Sequence, residues 1–299
     1  MLDTCVNTGS SGFSSLEYVK PLVSVVLPVY NARPFLNEAV ESIFRQSYSN
    51  IELVVIDDCS CDGSESLLKE YADKGKIKLI VNRSNLGDAA SRNRGLMEIS
   101  GKYYAAMDAD DVCLPDRILK EVGFLQNHQE CVLVGGQAVY IDKHSNYLGT
   151  SNYPTEMNAV AAHVWRRNPV AHSSILTRSD LVKKVGMYCG ELRTCSDYDL
   201  WLRLLKYGYL ANLKEPVIKY RLHSNQMSQY DYSHLLRTTA LLQNKYKRLY
   251  GHKDNLVDKI YSAVYWVLLK FPSKVSNKVV NWCRRLSRYI GALGKRPYD

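Results

Sequence analysis

Three carboxylates fall within four residues at Asp108-Ala109-Asp110-Asp111. Like charges held this close repel one another, and a shared cation removes the cost. A hard divalent ion with oxygen ligands, Mg2+ or Mn2+, suits such a set. The same residues would also suit a solvated turn capping the next helix. A second acidic pair, Asp57-Asp58, follows the apolar run 51–56 (IELVVI). An Asp at that point can accept hydrogen bonds from ribose hydroxyls or from a base N–H. It could equally form the turn before a helix, closed by Asp62-Gly63.

What precedes each cluster suggests how it is positioned. Residues 23–29 (VSVVLPV), 51–56, 76–81 and 102–107 are short, apolar or β-branched runs, read as strands. Segments 34–46, 63–71, 87–100 and 115–127 have helical spacing of apolar residues, with Pro34 and Pro115 at their openings. Four strand–helix alternations imply an α/β fold with a parallel sheet covered by helices. Ligands of such sheets sit beyond the carboxyl ends of the strands. Asp57-Asp58 ends the second strand there, and the 108–111 cluster ends the fourth. Further on, strands are expected near 131–141, 173–177 and 216–222, with helices near 157–166 and 196–206. From residue 233 the pattern is helical in three pieces, broken near Gly251-His252 and Phe271-Pro272-Ser273.

The loop after the first strand contains no glycine, and no G-x-x-x-x-G-K-[ST] occurs anywhere. Backbone amides are therefore poorly placed to cradle phosphates, and a metal becomes the better partner for a diphosphate.

The chain has 299 residues, 46% hydrophobic and 23% charged, enough for one large domain or two small ones. A disordered chain, a collagen-like fibre and a disulfide-stapled miniprotein are excluded. The net charge is +9 and unevenly placed. Residues 233–299 hold 14 Lys/Arg against 3 Asp/Glu, while the first 232 residues are slightly acidic. The basic character thus belongs to the tail, which contains no recognised nucleic-acid module, so no nucleic-acid partner is expected. Basic residues interleaved with Tyr261, Tyr265, Trp266, Phe271 and Trp282 suit a helix lying on an anionic membrane surface, or a helical cap packed on the domain. The uncharged stretch 260–269 is about half the ~20 residues a spanning helix needs. The first 20 residues lack an apolar signal core. The eight cysteines form no C-x-x-C pair, which fits scattered free thiols in a reducing cytosol.

Four segments occur in order: VSVVLPVYN at 23–31, VVIDDCSCDGS at 54–64, NLGDAASRNRG at 85–95 and MDADDVCLPDR at 107–117. Together they resemble the successive signatures of family 2 glycosyltransferases, over roughly residues 22–225. The resemblance implies a GT-A (Rossmann-like) mostly parallel sheet flanked by helices, with a helical C-terminal extension. It divides the chain into an N-terminal extension (1–21), a catalytic domain (22–229) with donor (22–130) and acceptor (131–229) halves, and a basic extension (230–299).

The resemblance also implies roles. Pro28 and Tyr30 should line the nucleotide base, and Asp58 matches the family's uracil-binding carboxylate. Arg92 falls where the family lines the nucleotide site, with an exposed helix arginine as the alternative. Asp108 and Asp110 match the D-x-D motif: Asp110 as direct metal ligand, Asp108 toward the ribose or a metal-bound water. Asp111 is the additional acid of a D-x-D-D subset. In Thr194-Cys195-Ser196-Asp197-Tyr198-Asp199, Asp197 matches the general base and Asp199 is its rival. Ser196 stands where the family commonly has an acid. Segment 168–174 (NPVAHSS) resembles the acceptor side, bringing in His172. Segment 220–228 resembles the closing Y-R-x-H stretch, where Arg221 and His223 could reach the diphosphate or metal.

The activity implied is inverting, metal-dependent transfer of a hexose from a UDP-sugar to a hydroxyl of a glycan acceptor. Family members of this size commonly build bacterial surface polysaccharides such as O-antigen or capsule. The acceptor is then carried on undecaprenyl diphosphate, and the enzyme is expected in the cytoplasm, peripheral at the inner face of the membrane. A nucleotide-sugar-binding protein without transferase activity is the alternative.

Overall fold

A computed structural model describes residues 20–224, 226 and 232–270. Its centre is the first strand, β1 (Val23–Val29), which is buried along nearly its whole length. Side chains alternate across a strand. Val23, Val25, Leu27 and Val29 accordingly face one core cluster and Val26 the other. The next strand, β2 (Ile51–Asp57), divides the same way, with Leu53 and Val55 on one face and Val54 and Ile56 on the other. Apolar side chains on both faces are what a central parallel strand requires.

Helices α1 (Arg33–Phe44), α2 (Ser64–Asp73) and α4 (Arg117–Asn127) cover the first face, and α3 (Asp88–Met97) covers the second. In α1, Leu36, Val40 and Ile43 are buried at helical spacing. The seating of α3 depends on Gly95. A Cβ there would come within 2.5 Å of Val26 Cγ1 and 2.6 Å of Ile56 Cδ1. Only a residue without a side chain lets α3 lie this close to β1 and β2.

The strands β3 (Lys78–Val81), β2, β1 and β4 (Tyr103–Ala106) run parallel in that order, as the alternating pattern implies. Beyond β4 the sheet becomes mixed. Strand β8 (Leu176–Arg178) is antiparallel to β4, and β6 (Cys131–Asp142) is antiparallel to β8. Strand β9 (Tyr209–Leu222) is parallel to β6, and the two-residue β5 (Val112–Cys113) closes the far edge antiparallel to β9. A short β7 (Tyr147–Thr150) pairs with β6.

Several details differ from the sequence expectation. Strand β9 starts seven residues earlier than expected, because 209–212 pairs with β6 although the stretch 209–215 is not continuously apolar. Residues 173–177 divide into a 3-10 turn (His172–Ser174) and β8. Strands β5 and β7 and helix α6 (Ser179–Lys184) are too short to leave a periodic signal.

Helices α5 (Met157–His163) and α7 (Ser196–Leu204) lead to α8 (Tyr232–Tyr250) and α9 (Leu256–Leu269). Leu242 and Tyr246 of α8 share a core cluster with Tyr198, Leu200 and Trp201 of α7. Burial is therefore continuous from the sheet into α8, across the boundary expected near residue 230. The third helical piece, with Phe271 and Trp282, lies outside the described residues, as does nearly all of the N-terminal extension. Among the described residues no helix is long and apolar enough to cross a membrane.

Candidate active site

The carboxyl ends of β1, β2 and β4 converge on one edge of the sheet, and the acidic clusters follow them. The loops after β1 and β2 are stitched together by side-chain hydrogen bonds. Asn31 Oδ1 accepts from Cys61 N (2.9 Å), Ser60 Oγ accepts from Asn31 N (3.0 Å), and Asp62 Oδ2 accepts from Arg33 N (2.9 Å). Asn31 has φ +50°, a left-handed conformation that Asn tolerates better than most residues. On this frame Tyr30 is 54% exposed, and Pro28 is half-buried beside it.

Asp58 is buried at the base of the same frame. Its Oδ1 accepts from Asn82 Nδ2 (2.6 Å) and Leu86 N (2.8 Å), and its Oδ2 from Gly87 N (2.8 Å). The carboxylate thus fastens the loop that enters α3. An ionised carboxylate offers about four acceptor positions, so three bonds leave room for one more. Asp57 points into the fold, with Oδ1 lacking a partner among the described residues.

Arg92 is 1% exposed, which overturns the exposed-helix alternative. Its Nε pairs with Asp88 Oδ1 (3.0 Å), its Nη1 donates to Met107 O (3.3 Å), and its Nη2 pairs with Asp108 Oδ1. Asp88 lies four residues before Arg92, a helical ion-pair spacing visible in the sequence but not used there. Burial disfavours the guanidinium charge, but Asp88 and Asp108 outweigh it and hold the group charged.

The acidic cluster follows β4. Asp108, Asp110 and Asp111 each present a carboxylate oxygen, all within 4.8 Å of one another. Their environments differ. Burial pushes Asp108 upward, but Arg92, His172 and a hydrogen bond from Ser173 Oγ (2.7 Å) outweigh it and hold Asp108 below the usual range. Asp110 is partly open, with His223 Nε2 at 2.9 Å. Asp111 is fully buried, accepting from Arg221 N (2.9 Å) and Ser173 Oγ. Burial and then its neighbours Asp110 and Asp108 push Asp111 well above the ordinary carboxylate value. The negative charge is therefore under-compensated by the protein, and hard oxygen ligands converge on it. That combination fits a divalent cation. Ser173, which bridges Asp108 and Asp111 from 65 and 62 residues away, carries no signal of this role in the sequence.

Arg221 does not reach the open side of the cluster. It is 1% exposed, and its guanidinium is held by Asp110 O (2.8 Å), Asp142 O (3.2 Å), Ser145 Oγ (2.9 Å) and Glu38 Oε2 (2.6 Å). It also lies over the Phe35 ring. The contact with diphosphate or metal expected for Arg221 is thus corrected: these bonds tie the 108–111 loop to β9 and α1. His223 does meet the cluster, through Asp110.

On the other side of the cluster, His172 Nε2 lies 2.8 Å from Tyr188 Oη, which is 2.9 Å from Tyr104 Oη. Burial and then Arg92 depress the His172 pKa, although Asp108 and Asp197 both act to raise it. The imidazole is thereby kept neutral between the acidic cluster and α7.

Asp197 lies in the first turn of α7, which opens after Cys195 at φ +64°. It is half-buried, and its Oδ2 accepts from Asn168 Nδ2 at 2.6 Å. Asp199, its rival, is 4% exposed and bound by Arg203 (Nη2–Oδ2 2.8 Å) and Tyr246 Oη (2.8 Å to Oδ1). It is committed to holding α7 against α8. A further group of possible metal ligands, His252, Asp254 and Asp258, also gathers within 4.8 Å. There Lys247 lies 2.7 Å from Asp254 and Arg166 lies 2.7 Å from Asp258, so the charge is already met by protein cations.

Comparison with known proteins bears on the family and the fold. Glycosyl transferase family 2 matches residues 24–185. An uncharacterized glycosyltransferase of Haemophilus influenzae is 33% identical over 274 residues, covering 87% of this chain and 83% of its own. An uncharacterized glycosyltransferase of Methanocaldococcus jannaschii, MJ1057, is 33% identical over 213 residues, covering 69% and 72%. Among solved structures, Staphylococcus aureus TarS 1–349 in complex with UDP-GlcNAc superposes with a TM-score of 0.60 at 19% identity, over 74% of this chain. The chain spans 66% of that TarS fragment. The mannosyltransferase PcManGT of Pyrobaculum calidifontis, in complex with GDP-Man and Mn2+, gives 0.60 at 14% identity, covering 92% and 88%. These likenesses bear on the fold, which is the GT-A arrangement. The family match spans more than half of the chain, and the protein is a glycosyltransferase of family 2.

Proposed function

We propose that the protein transfers a sugar from a UDP-sugar to a hydroxyl of a glycan acceptor, with inversion at the anomeric carbon. The observation that carries this reading is the acidic cluster at the end of β4: three carboxylates with converging oxygens, two of them partly open, on the sheet edge shared with Tyr30 and Asp58. The UDP- and GDP-sugars bound by TarS and PcManGT support a nucleotide-sugar donor. The fourth acceptor position of Asp58 supports a uracil N–H there, with Tyr30 and Pro28 alongside the base.

Asp110 and Asp108 would hold Mn2+ or Mg2+, an assignment supported by the under-compensated charge and by the Mn2+ of PcManGT. A cation bound there supplies charge compensation for the departing diphosphate. Arg92 keeps Asp108 ionised and aimed, Arg221 holds the loop, and His223 steadies Asp110. Asp197 accepts the proton of the acceptor hydroxyl as that oxygen attacks the face opposite the diphosphate. Asp197 is favoured over Asp199 because Asp199 is consumed by Arg203 and Tyr246. A single base suffices for inversion, whereas retention through a covalent intermediate needs a second carboxylate beside the sugar.

For the acceptor we propose a glycan on a lipid diphosphate such as undecaprenyl diphosphate, with a hexose as the transferred sugar, in bacterial surface-polysaccharide synthesis. The test is UDP release from a panel of UDP-sugars with a lipid-diphosphate-linked GlcNAc or GalNAc acceptor. Acceptor-dependent release that Asp197→Asn abolishes supports the reading. Donor binding without acceptor-dependent release from any pair would favour a nucleotide-sugar-binding protein.

A further inference from the structure

Among the described residues, helix α9 is held to the fold along one side. Its Asn255–Asp258 capping box fixes the start. Asp258 pairs with Arg166, and Tyr265 Oη donates to Arg166 O at 2.6 Å. The opposite side is apolar and, among the described residues, uncovered. Leu256, Val257, Ile260, Val264 and Val267 are 44–74% exposed. At 3.6 residues per turn these five positions fall within an arc of about 100°. Lys259 and Lys270 border one edge of that arc and are exposed. Trp266, 59% exposed, lines a groove with Leu241 of α8 beside Arg237 and Lys270.

The charges around this face have one sign. Arg237, Lys245, Arg248, Lys253, Lys259 and Lys270 are all exposed on α8, α9 and their connection. The carboxylates among described residues 234–270 are Asp254 and Asp258, neither of them exposed. Asp254 is paired with Lys247 and Asp258 with Arg166. A second copy of this face would bring cations against cations. The remaining chain, 271–299, holds seven Lys/Arg and one Asp, so it too is a poor electrostatic match. An anionic bilayer matches both properties: acyl chains for the apolar arc and lipid phosphates for the lysines.

We propose that the outer face of α9 docks on an anionic lipid bilayer, with Leu256, Val257, Ile260, Val264 and Val267 entering the headgroup–acyl boundary and Lys259 and Lys270 at phosphate level. At about 21 Å, the 14-residue helix lies along the interface. Its inner anchor, Arg166, precedes Asn168 by two residues, and Asn168 holds Asp197. Docking therefore sets the acceptor side of the site at the membrane. That last consequence rests on the proposed function, whereas the docking does not.

The experiment is flotation of the full-length protein with vesicles of phosphatidylcholine alone, or with roughly a third phosphatidylglycerol. Wild type should partition at least tenfold more strongly onto the anionic vesicles, and raised salt should weaken it. The triple variant Ile260→Ser, Val264→Ser, Val267→Ser should lose at least tenfold of that partition with an unchanged circular dichroism spectrum. A second variant, Lys259→Glu with Lys270→Glu, should lose the preference for anionic lipid, and it keeps the test open should the triple variant misfold. Wild-type-like flotation of both variants would overturn the proposal, placing the contact elsewhere. So would absence of flotation, or a wild-type dimer that the triple variant converts to monomer. Flotation is read without substrate, so its failure is distinct from failure of the transferase assay.

Discussion

Asn168 donates a hydrogen bond to Asp197 Oδ2 at 2.6 Å, joining the segment before β8 to the first turn of α7. One carboxylate oxygen is thereby occupied and the side chain aimed. In the proposed reaction the other oxygen takes the acceptor hydroxyl. Asn168→Ala should lower kcat by about 10–100-fold through lost orientation, with donor KM little changed. Equal losses in donor binding and turnover would argue against this division of roles.

Asp197 and Asp199 lie two residues apart but should fail differently. Asp197→Asn should lower turnover by roughly 1,000-fold or more while donor binding and melting temperature stay close to wild type. Asp199→Ala should leave Arg203 and Tyr246 without their buried partner and cost about 3–5 kcal/mol of stability. Thermal unfolding of both variants beside single-turnover transfer separates the base from the brace.

Arg92 should not tolerate exchange for lysine. Its planar group reaches Asp88, Met107 O and Asp108 from a buried position, and an ammonium cannot satisfy all three in that geometry. Arg92→Lys should weaken donor binding by about tenfold or more, read by titration calorimetry with UDP, while the fold survives.

Removal of divalent cations by EDTA should suppress transfer, with recovery on adding Mn2+ or Mg2+. Asp110→Ala should give an enzyme that excess Mn2+ fails to restore. Full activity in EDTA would sink the assignment of Asp108 and Asp110.

Glu121, buried against Arg117 below the acidic loop, is pushed up to about 8 by burial, with Arg117 only partly offsetting it. The unfolded chain releases this proton near 4.5, whereas the folded chain keeps it to about 8. Stability contributed by the site is therefore full below pH 4.5 and declines as pH rises toward 8, by on the order of a few kcal/mol. Glu121→Gln should flatten that part of the melting-temperature profile between pH 5 and 8.5.

The sequence by itself determined the alternating strands and helices of the first half, the positions of the acidic clusters at strand ends, and the family. Those features are local. Apolar runs of strand length, helical periodicity and short motifs are all read within a few adjacent residues. It left β5, β7 and the early part of β9 unseen, because two- to seven-residue pairings are chosen by the partner strand rather than by intrinsic pattern. The roles of equivalent side chains were decided only by tertiary structure. Asp197 and Asp199 share one helical turn, yet Tyr246 of α8 claims only the second. Arg221 and His223 sit together in β9 and its exit, yet only His223 meets a carboxylate of the acidic cluster through its side chain, while the Arg221 guanidinium is spent on carbonyls, Ser145 and Glu38. Ser173 and Asn168 gained carboxylate neighbours of the candidate site from far along the chain. Which charges are free and which are committed depends on what burial brings within hydrogen-bond distance, and that is a property of the folded chain.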